Sequence, residues 1–158
     1  GYDKIACTQP RRVAAIALCR RVAHENLDEY GTSVGYSVRF DASNTKRTRI
    51  LFLTEGLLLR QLRNDPILMR YDVIIVDEVH ERHLPCDLLL AILRVVVERR
   101  SKEGKRLKLI LMSATLNAKL FSDYFGKAPV IEVPGRMYAV TTRYLPIDSG
   151  GGGGGVST

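Results

Sequence analysis

The chain alternates short apolar runs with longer stretches of helical periodicity, and almost every apolar run ends on a polar residue. Residues 73–76, Val-Ile-Ile-Val, are four consecutive β-branched residues, too few for a helix and continuous rather than alternating. They predict a strand buried on both faces of a parallel sheet. Residues 4–8, 48–53 and 107–112 form further strands, and 35–40 alternates in the manner of an edge or half-buried strand. Residues 130–133 and 139–144 read as two more strands that close the domain. Between the strands, a helix is expected at or just after Pro10, with Ala14, Ala17, Leu18 and Val22 towards the sheet and Arg20, Arg21, Glu25 and Asp28 in water; Gly31 ends that segment. Leu57, Leu58, Leu62 and Ile67 cover the sheet from a second helix. Leu84-Pro85-Cys86 interrupts the chain before a helix over 88–99, capped by Asp87 and deeply buried, and a short helix follows over 118–125. Residues 41–47 and 99–108 read as polar, solvated connections. The fold class is therefore α/β, with three layers: a mostly parallel sheet and helices on both faces.

In such sheets ligands bind at the carboxyl ends of the strands. The run 73–76 ends in Asp77 and Glu78, and two carboxylates on a rigid strand end can hold a hard cation such as Mg²⁺ and orient a water. They can equally be solvated loop starters or helix caps. The other strand ends carry Thr8-Gln9-Pro10-Arg11-Arg12, Thr54-Glu55-Gly56 and Ser113-Ala114-Thr115. Arg11 and Arg12 sit where guanidinium groups at a helix N-terminus suit a phosphate, or where they are merely surface charges. The Thr54 hydroxyl fits a helix N-cap. His80 and His83 lie three apart with no obvious third ligand, whereas the helical zinc motif requires histidines four apart, so a zinc site is not favoured.

These three motifs and Asp77-Glu78-Val79-His80-Glu81-Arg82, four in their order along the chain, together with Val34-Gly35-Tyr36-Ser37-Val38-Arg39-Phe40 and Val133-Pro134-Gly135-Arg136, resemble those of the DEAH/DExH-box RNA helicases of superfamily 2. The resemblance runs from Ile5 to Pro146. It implies a partial first RecA-like lobe of the P-loop NTPase type, over residues 1–148, followed by a Gly-rich flexible tail or linker over 149–158. It implies ATP and Mg²⁺ as cofactors, with Asp77 holding the metal through water and Glu78 polarising the attacking water. His80 would sense the γ-phosphate and report it to Ser113 and Thr115, and the motif Ser113, Ala114 and Thr115 would couple hydrolysis to RNA grip. Arg11, Arg12 and Arg39 would touch the RNA backbone, Arg39 at the start of a hook-like turn, and Thr54 would offer its hydroxyl to a phosphate. Valine at position 79 stands where the name-giving motif has alanine, and with the continuation Glu81-Arg82-His83-Leu84 it leaves spliceosomal, ribosome-assembly and mRNA-surveillance subgroups open.

Composition changes this picture little. The 158 residues suffice for one domain, and 24 Lys and Arg against 17 Asp and Glu favour a polyanionic partner. No run approaches the roughly 20 apolar residues of a membrane span. Cys7, Cys19 and Cys86 lack any CxxC spacing, which favours reduced thiols and an intracellular place, in nucleus or cytoplasm. The family's phosphate loop needs Gly-Lys-Ser/Thr, yet the Gly-Lys pairs here are Gly104-Lys105-Arg106 and Gly126-Lys127-Ala128. The resemblance therefore puts that loop one strand upstream of Lys4, and the second helicase lobe with its arginine fingers beyond the glycines. Three classes stay open: part of an ATP-dependent RNA helicase, a catalytically inactive RNA- or protein-binding remnant of a lobe, and a metal-dependent hydrolase using Asp77, Glu78, His80 and His83.

Overall fold

A computed structural model of the protein describes residues 2–27, 32–114, 118–135 and 138–143. Six strands form one sheet: β1 (Ile5–Gln9), β2 (Val34–Val38), β3 (Asp41–Ser43), β4 (Ile50–Thr54), β5 (Val73–Val76) and β6 (Lys108–Leu111). Their spatial order is β3-β2-β4-β1-β5-β6, and every pairing is parallel except β2 with β3. The helices are α1 (Arg12–Glu25), α2 (Glu55–Leu62), α3 (Leu84–Lys102) and α4 (Ala118–Tyr124), with a 3-10 turn at Val79–Glu81.

Side chains alternate across each strand and so build two cores on the two faces of the sheet. Cys7, Val34, Tyr36 and Phe52 pack with Ala15, Cys19 and Ala23 of α1. Ala6, Leu53, Ile74 and Val76 pack on the other face with Leu58 of α2 and Leu89, Leu90, Leu93 and Val96 of α3. This is the RecA-like three-layer arrangement, and each fully buried leucine contributes about 1.5–3 kcal/mol to it.

Several elements differ from the sequence reading. The buried face of α1 is Ala15, Cys19 and Ala23; Ala14, Leu18 and Val22 flank it half-buried and Ala17 is exposed. Small side chains let the helix lie close to the sheet, so the face is set by size rather than by hydrophobicity alone. The helix ends at Glu25, and Asp28 and Gly31 lie outside the described residues. In α2 the buried apolar residue is Leu58, with Leu57 and Leu62 partly covered, while beyond the helix Leu68 rather than Ile67 reaches the core.

Residues 41–43, expected in a polar connection, pair with β2 as an edge strand across a two-residue turn at Arg39 and Phe40. Strand β2 is thereby not an edge. Asp, Ala and Ser have little strand preference of their own; the hairpin register, with the Tyr36 hydroxyl donating to Asp41 at 2.9 Å, supplies the pairing. Gly35 is required there, because a Cβ would stand 2.3 Å from the Ser43 carbonyl oxygen.

Helix α3 starts at Leu84, with Pro85 in its first turn, where a missing N–H is harmless. Asp87 is not its cap but lies in the first turn and accepts from Arg82 at 2.8 and 3.0 Å. The helix is buried on one face only, with Leu88 and Val95 exposed on the other. Residues 130–133 and 139–143 form no strand, and residue 144 lies outside the described residues. A strand exists only with a neighbour to bond, and β6 has none but β5 among the described residues.

The largest departure is Arg100, read as part of a solvated loop and found 3% exposed inside α3. Its guanidinium donates to the carbonyls of Leu68 at 2.9 Å, Tyr71 at 2.7 Å and Lys105 at 2.8 Å. It thus fixes the turn that enters β5 against the end of α3. Arg100→Met strands those carbonyls and should lower stability by at least about 3 kcal/mol, whereas Arg99→Met on the exposed face should stay within about 0.5 kcal/mol. Urea denaturation of both variants checks this, and equal effects would remove Arg100 from that role.

Candidate nucleotide and nucleic-acid site

Because β2, β4, β1, β5 and β6 run parallel, their carboxyl ends form one edge. Along it stand Arg39 after β2, Thr54 ending β4, Gln9 ending β1 with Arg11 beyond it, Asp77 to His80 after β5, and Ser113 and Ala114 after β6. Four strand steps of about 4.8 Å put the two extremes of this row roughly 19 Å apart. Thr115 lies outside the described residues.

Asp77 is held from two sides. Gln9 Nε2 donates to Oδ2 at 2.6 Å and the backbone N–H of Glu78 to Oδ1 at 2.8 Å. Each oxygen keeps a lone pair, so the carboxylate is fixed in direction yet can still accept from water. That fits a hydrated hard cation better than a fully wrapped one. Gln9 is assigned no role from sequence, since only the pairing of β1 with β5 brings residue 9 beside residue 77.

Glu78 adopts the left-handed conformation, φ 57° and ψ 33°, as does Arg82 at φ 52°. Such backbone costs a non-Gly residue on the order of 1–2 kcal/mol. It turns the chain sharply out of β5, buries Val79 and leaves the Glu78 and His80 side chains half-exposed above the sheet edge.

His80 Nδ1 has two neighbours. The Ala114 amide donates to Nδ1 at 3.2 Å, and Glu78 Oε2 lies 3.4 Å from the same nitrogen. The first contact needs a lone pair on Nδ1 and the second a proton, so Nδ1 cannot serve both at once. In the motif after β6, the Ala114 backbone amide meets His80.

The four residues implied to touch RNA are spread over three strand ends. Arg11, three-quarters exposed, occupies the N-cap position of α1 with no side-chain cap bond and lies 3.5 Å from Glu81. Arg12 is exposed in the first turn, and Arg39 stacks 4.8 Å over the Phe40 ring. Thr54 occupies the N-cap position of α2, but its hydroxyl makes no cap bond there.

Beside it, Glu55 is buried and accepts from the Cys86 thiol, tying the start of α2 to the start of α3. Burial pushes the Glu55 carboxyl above its ordinary range, against the opposing effects of Cys86 and His83. Burial, and after it the Glu55 charge, pushes the Cys86 thiol up to about 12. Cys7 reaches about 12 and Cys19 about 11, mainly through burial, so none of these free thiols is nucleophilic near neutral pH. The sequence assigns Glu55 no role beyond its place in Thr54-Glu55-Gly56, because its burial depends on α3 packing against the start of α2.

No protein-family model matches the chain. Among curated proteins it is similar to the probable ATP-dependent RNA helicase DHX34 of Homo sapiens, 52% identical over 146 residues that make up 92% of this chain and 12% of that protein. The Mus musculus DHX34 gives the same identity and the same shares. The ATP-dependent RNA helicase DHX33 of Homo sapiens is 48% identical over 141 residues, 89% of this chain and 20% of that protein. The chain belongs to the DEAH/DExH-box helicase family. It spans between a tenth and a fifth of the length of these DEAH/DExH-box relatives.

A buried carboxyl with a raised pKa makes stability depend on pH. The unfolded chain releases the Glu55 proton near the ordinary value of about 4.5 and the folded chain only at higher pH, so the stability linked to this proton is fully present below 4.5 and is lost as pH rises through the folded value. Glu55→Gln keeps a partner for Cys86 and removes that loss. Its stability relative to the unsubstituted protein should therefore increase between pH 4 and pH 7, and a pH-independent difference in urea midpoints would contradict the burial of a titrating carboxyl.

Proposed function

We propose that the chain is the part of an ATP-dependent RNA helicase's first lobe that joins nucleotide hydrolysis to grip on an RNA backbone. One observation carries this reading: a single sheet edge brings the candidate RNA contacts of β2, β4 and β1 beside the candidate nucleotide residues of β5 and β6, with β1 shared between them. Asp77, held by Gln9 and the Glu78 amide, would hold Mg²⁺ through water. That ion, when bound with ATP, neutralises charge on the phosphates. Glu78 projects from its left-handed turn beside this position and accepts a proton from the attacking water. His80 exchanges its Nδ1 contact between Glu78 and the Ala114 amide, which relays the state of the nucleotide to β6. Arg11, Arg12, Arg39 and Thr54 hold phosphates without reading bases. The free, buried state of Cys7, Cys19 and Cys86 supports an intracellular setting, in nucleus or cytoplasm.

Two experiments on the full-length protein test this. Glu78→Gln should reduce RNA-stimulated ATP turnover at least about 100-fold, as expected for loss of a general base, while Mg·ATP binding stays near its original strength. Retained turnover would take Glu78 out of the reaction.

The second measures the salt dependence of binding to single-stranded RNA. Two or three arginine–phosphate contacts correspond to a log–log slope contribution of about −1.4 to −2.1. Arg11→Gln with Arg39→Gln should flatten the slope, whereas Lys102→Gln with Arg106→Gln, at the opposite edge of the sheet, should leave it nearly unchanged. The reverse order would mean diffuse charge attraction instead of a defined path across the strand ends.

A further inference from the structure

Glu81 has no part in the site as described so far, yet its carboxylate stands between the two halves of it. One oxygen lies 3.5 Å from the guanidinium of Arg11, and the other bonds His83 Nε2 at 2.5 Å. The pairing with His83 foremost, and with Arg11 after it, holds the carboxyl below its ordinary range. Glu81 closes the 3-10 turn that carries Val79 and His80, and its own amide donates to the Glu78 carbonyl at 3.0 Å. Arg11 belongs to a different element, the junction of β1 with α1. A single ion pair therefore ties the turn bearing the nucleotide-facing residues to the arginine proposed to grip RNA.

A carboxylate and a phosphate offer a guanidinium the same kind of anionic oxygen acceptor. Arg11 is three-quarters exposed while Glu81 is about one-quarter exposed, so the arginine can swing outward and the acid cannot follow. Resting on the function proposed above, we infer that Glu81 is a positioning residue that occupies Arg11 in place of an RNA phosphate, and that RNA binding breaks this pair and unties the His80 turn. Linkage makes the effect reciprocal: whatever draws the turn away from Arg11 when nucleotide binds must strengthen RNA binding by the same factor.

The experiment is a double-mutant cycle in the full-length protein, read by fluorescence anisotropy of a labelled oligouridine at fixed low salt without nucleotide, and by ATP turnover with and without RNA. Glu81→Gln keeps the size of the side chain and a hydrogen-bonding group for His83 but releases Arg11. It should tighten oligouridine binding by about 1.5- to 5-fold, the range for an exposed ion pair. In an Arg11→Gln background the same change should have no effect on affinity. RNA-free turnover should rise in Glu81→Gln, so that the ratio of RNA-saturated to RNA-free rates shrinks. Tightening of equal size in both backgrounds would overturn the inference, because it would reflect only the removal of one negative charge near a polyanion. Absence of tightening when Glu81→Gln is made alone, with Arg11 in place, would overturn it as well. If the unsubstituted protein neither binds oligouridine nor responds to it, the proposed function itself fails; if it responds normally while the cycle is additive, only the role of Glu81 does.

Discussion

The parallel register of β2, β4, β1, β5 and β6 is the constraint on which the rest depends. Parallel pairing forces each strand to be followed by a crossover, and the crossovers bring every carboxyl end to the same side. Residues from five separate positions along the chain then meet without any of them being close in sequence. The register also decides who faces whom: Thr8 pairs with Val76 and with Leu53, so Gln9, one residue on, is set beside Asp77 on one side and Thr54 on the other. Were β1 elsewhere in the order, the carboxylate at position 77 would lose its side-chain partner.

Polar groups inside this framework act as fixed points. Arg100 gathers three carbonyls from the entry to β5 and the end of α3, and Asp72 accepts from the amides of Asp3 and Lys4, which lowers its pKa and anchors the start of β1 beside the start of β5. Both lie at the edge opposite the site. They hold the amino ends of β1 and β5, so that variation at the carboxyl edge is confined to the turns beyond them. Glu55 with Cys86 does the same for the starts of α2 and α3 at the functional edge, at the expense of burying a carboxyl.

The turn after β5 is where local backbone preference gives way. Glu78 and Arg82 are both left-handed, although neither is the glycine or asparagine that such geometry favours. The three residues between these two positions are a buried valine, a histidine shared between Glu78 and Ala114, and an acid shared between Arg11 and His83. Strain of this kind persists where surrounding contacts over-determine the backbone, and here those contacts come from β6, from α1 and from the core under Val79.

The sequence by itself determined the class of fold and the positions of most candidate residues, because continuous β-branched runs ending in polar motifs can satisfy both period and burial only as strands of a parallel sheet. It located Asp77, Glu78, His80, Arg11 and Thr54 at strand ends for the same reason. Tertiary structure alone decided which strand ends are neighbours, and therefore that Gln9 holds Asp77 and that Glu81 meets Arg11. It also decided the exceptions to local pattern. Asp41 to Ser43 became a strand because a hairpin offered them partners, residues 130–133 did not because no partner edge among the described residues reached them, and Arg100 left water because three carbonyls, two of them distant in sequence, needed a donor. Periodicity reports what one segment would bury on its own, whereas hydrogen-bond partners across the sheet and between helices exist only once the chain has folded.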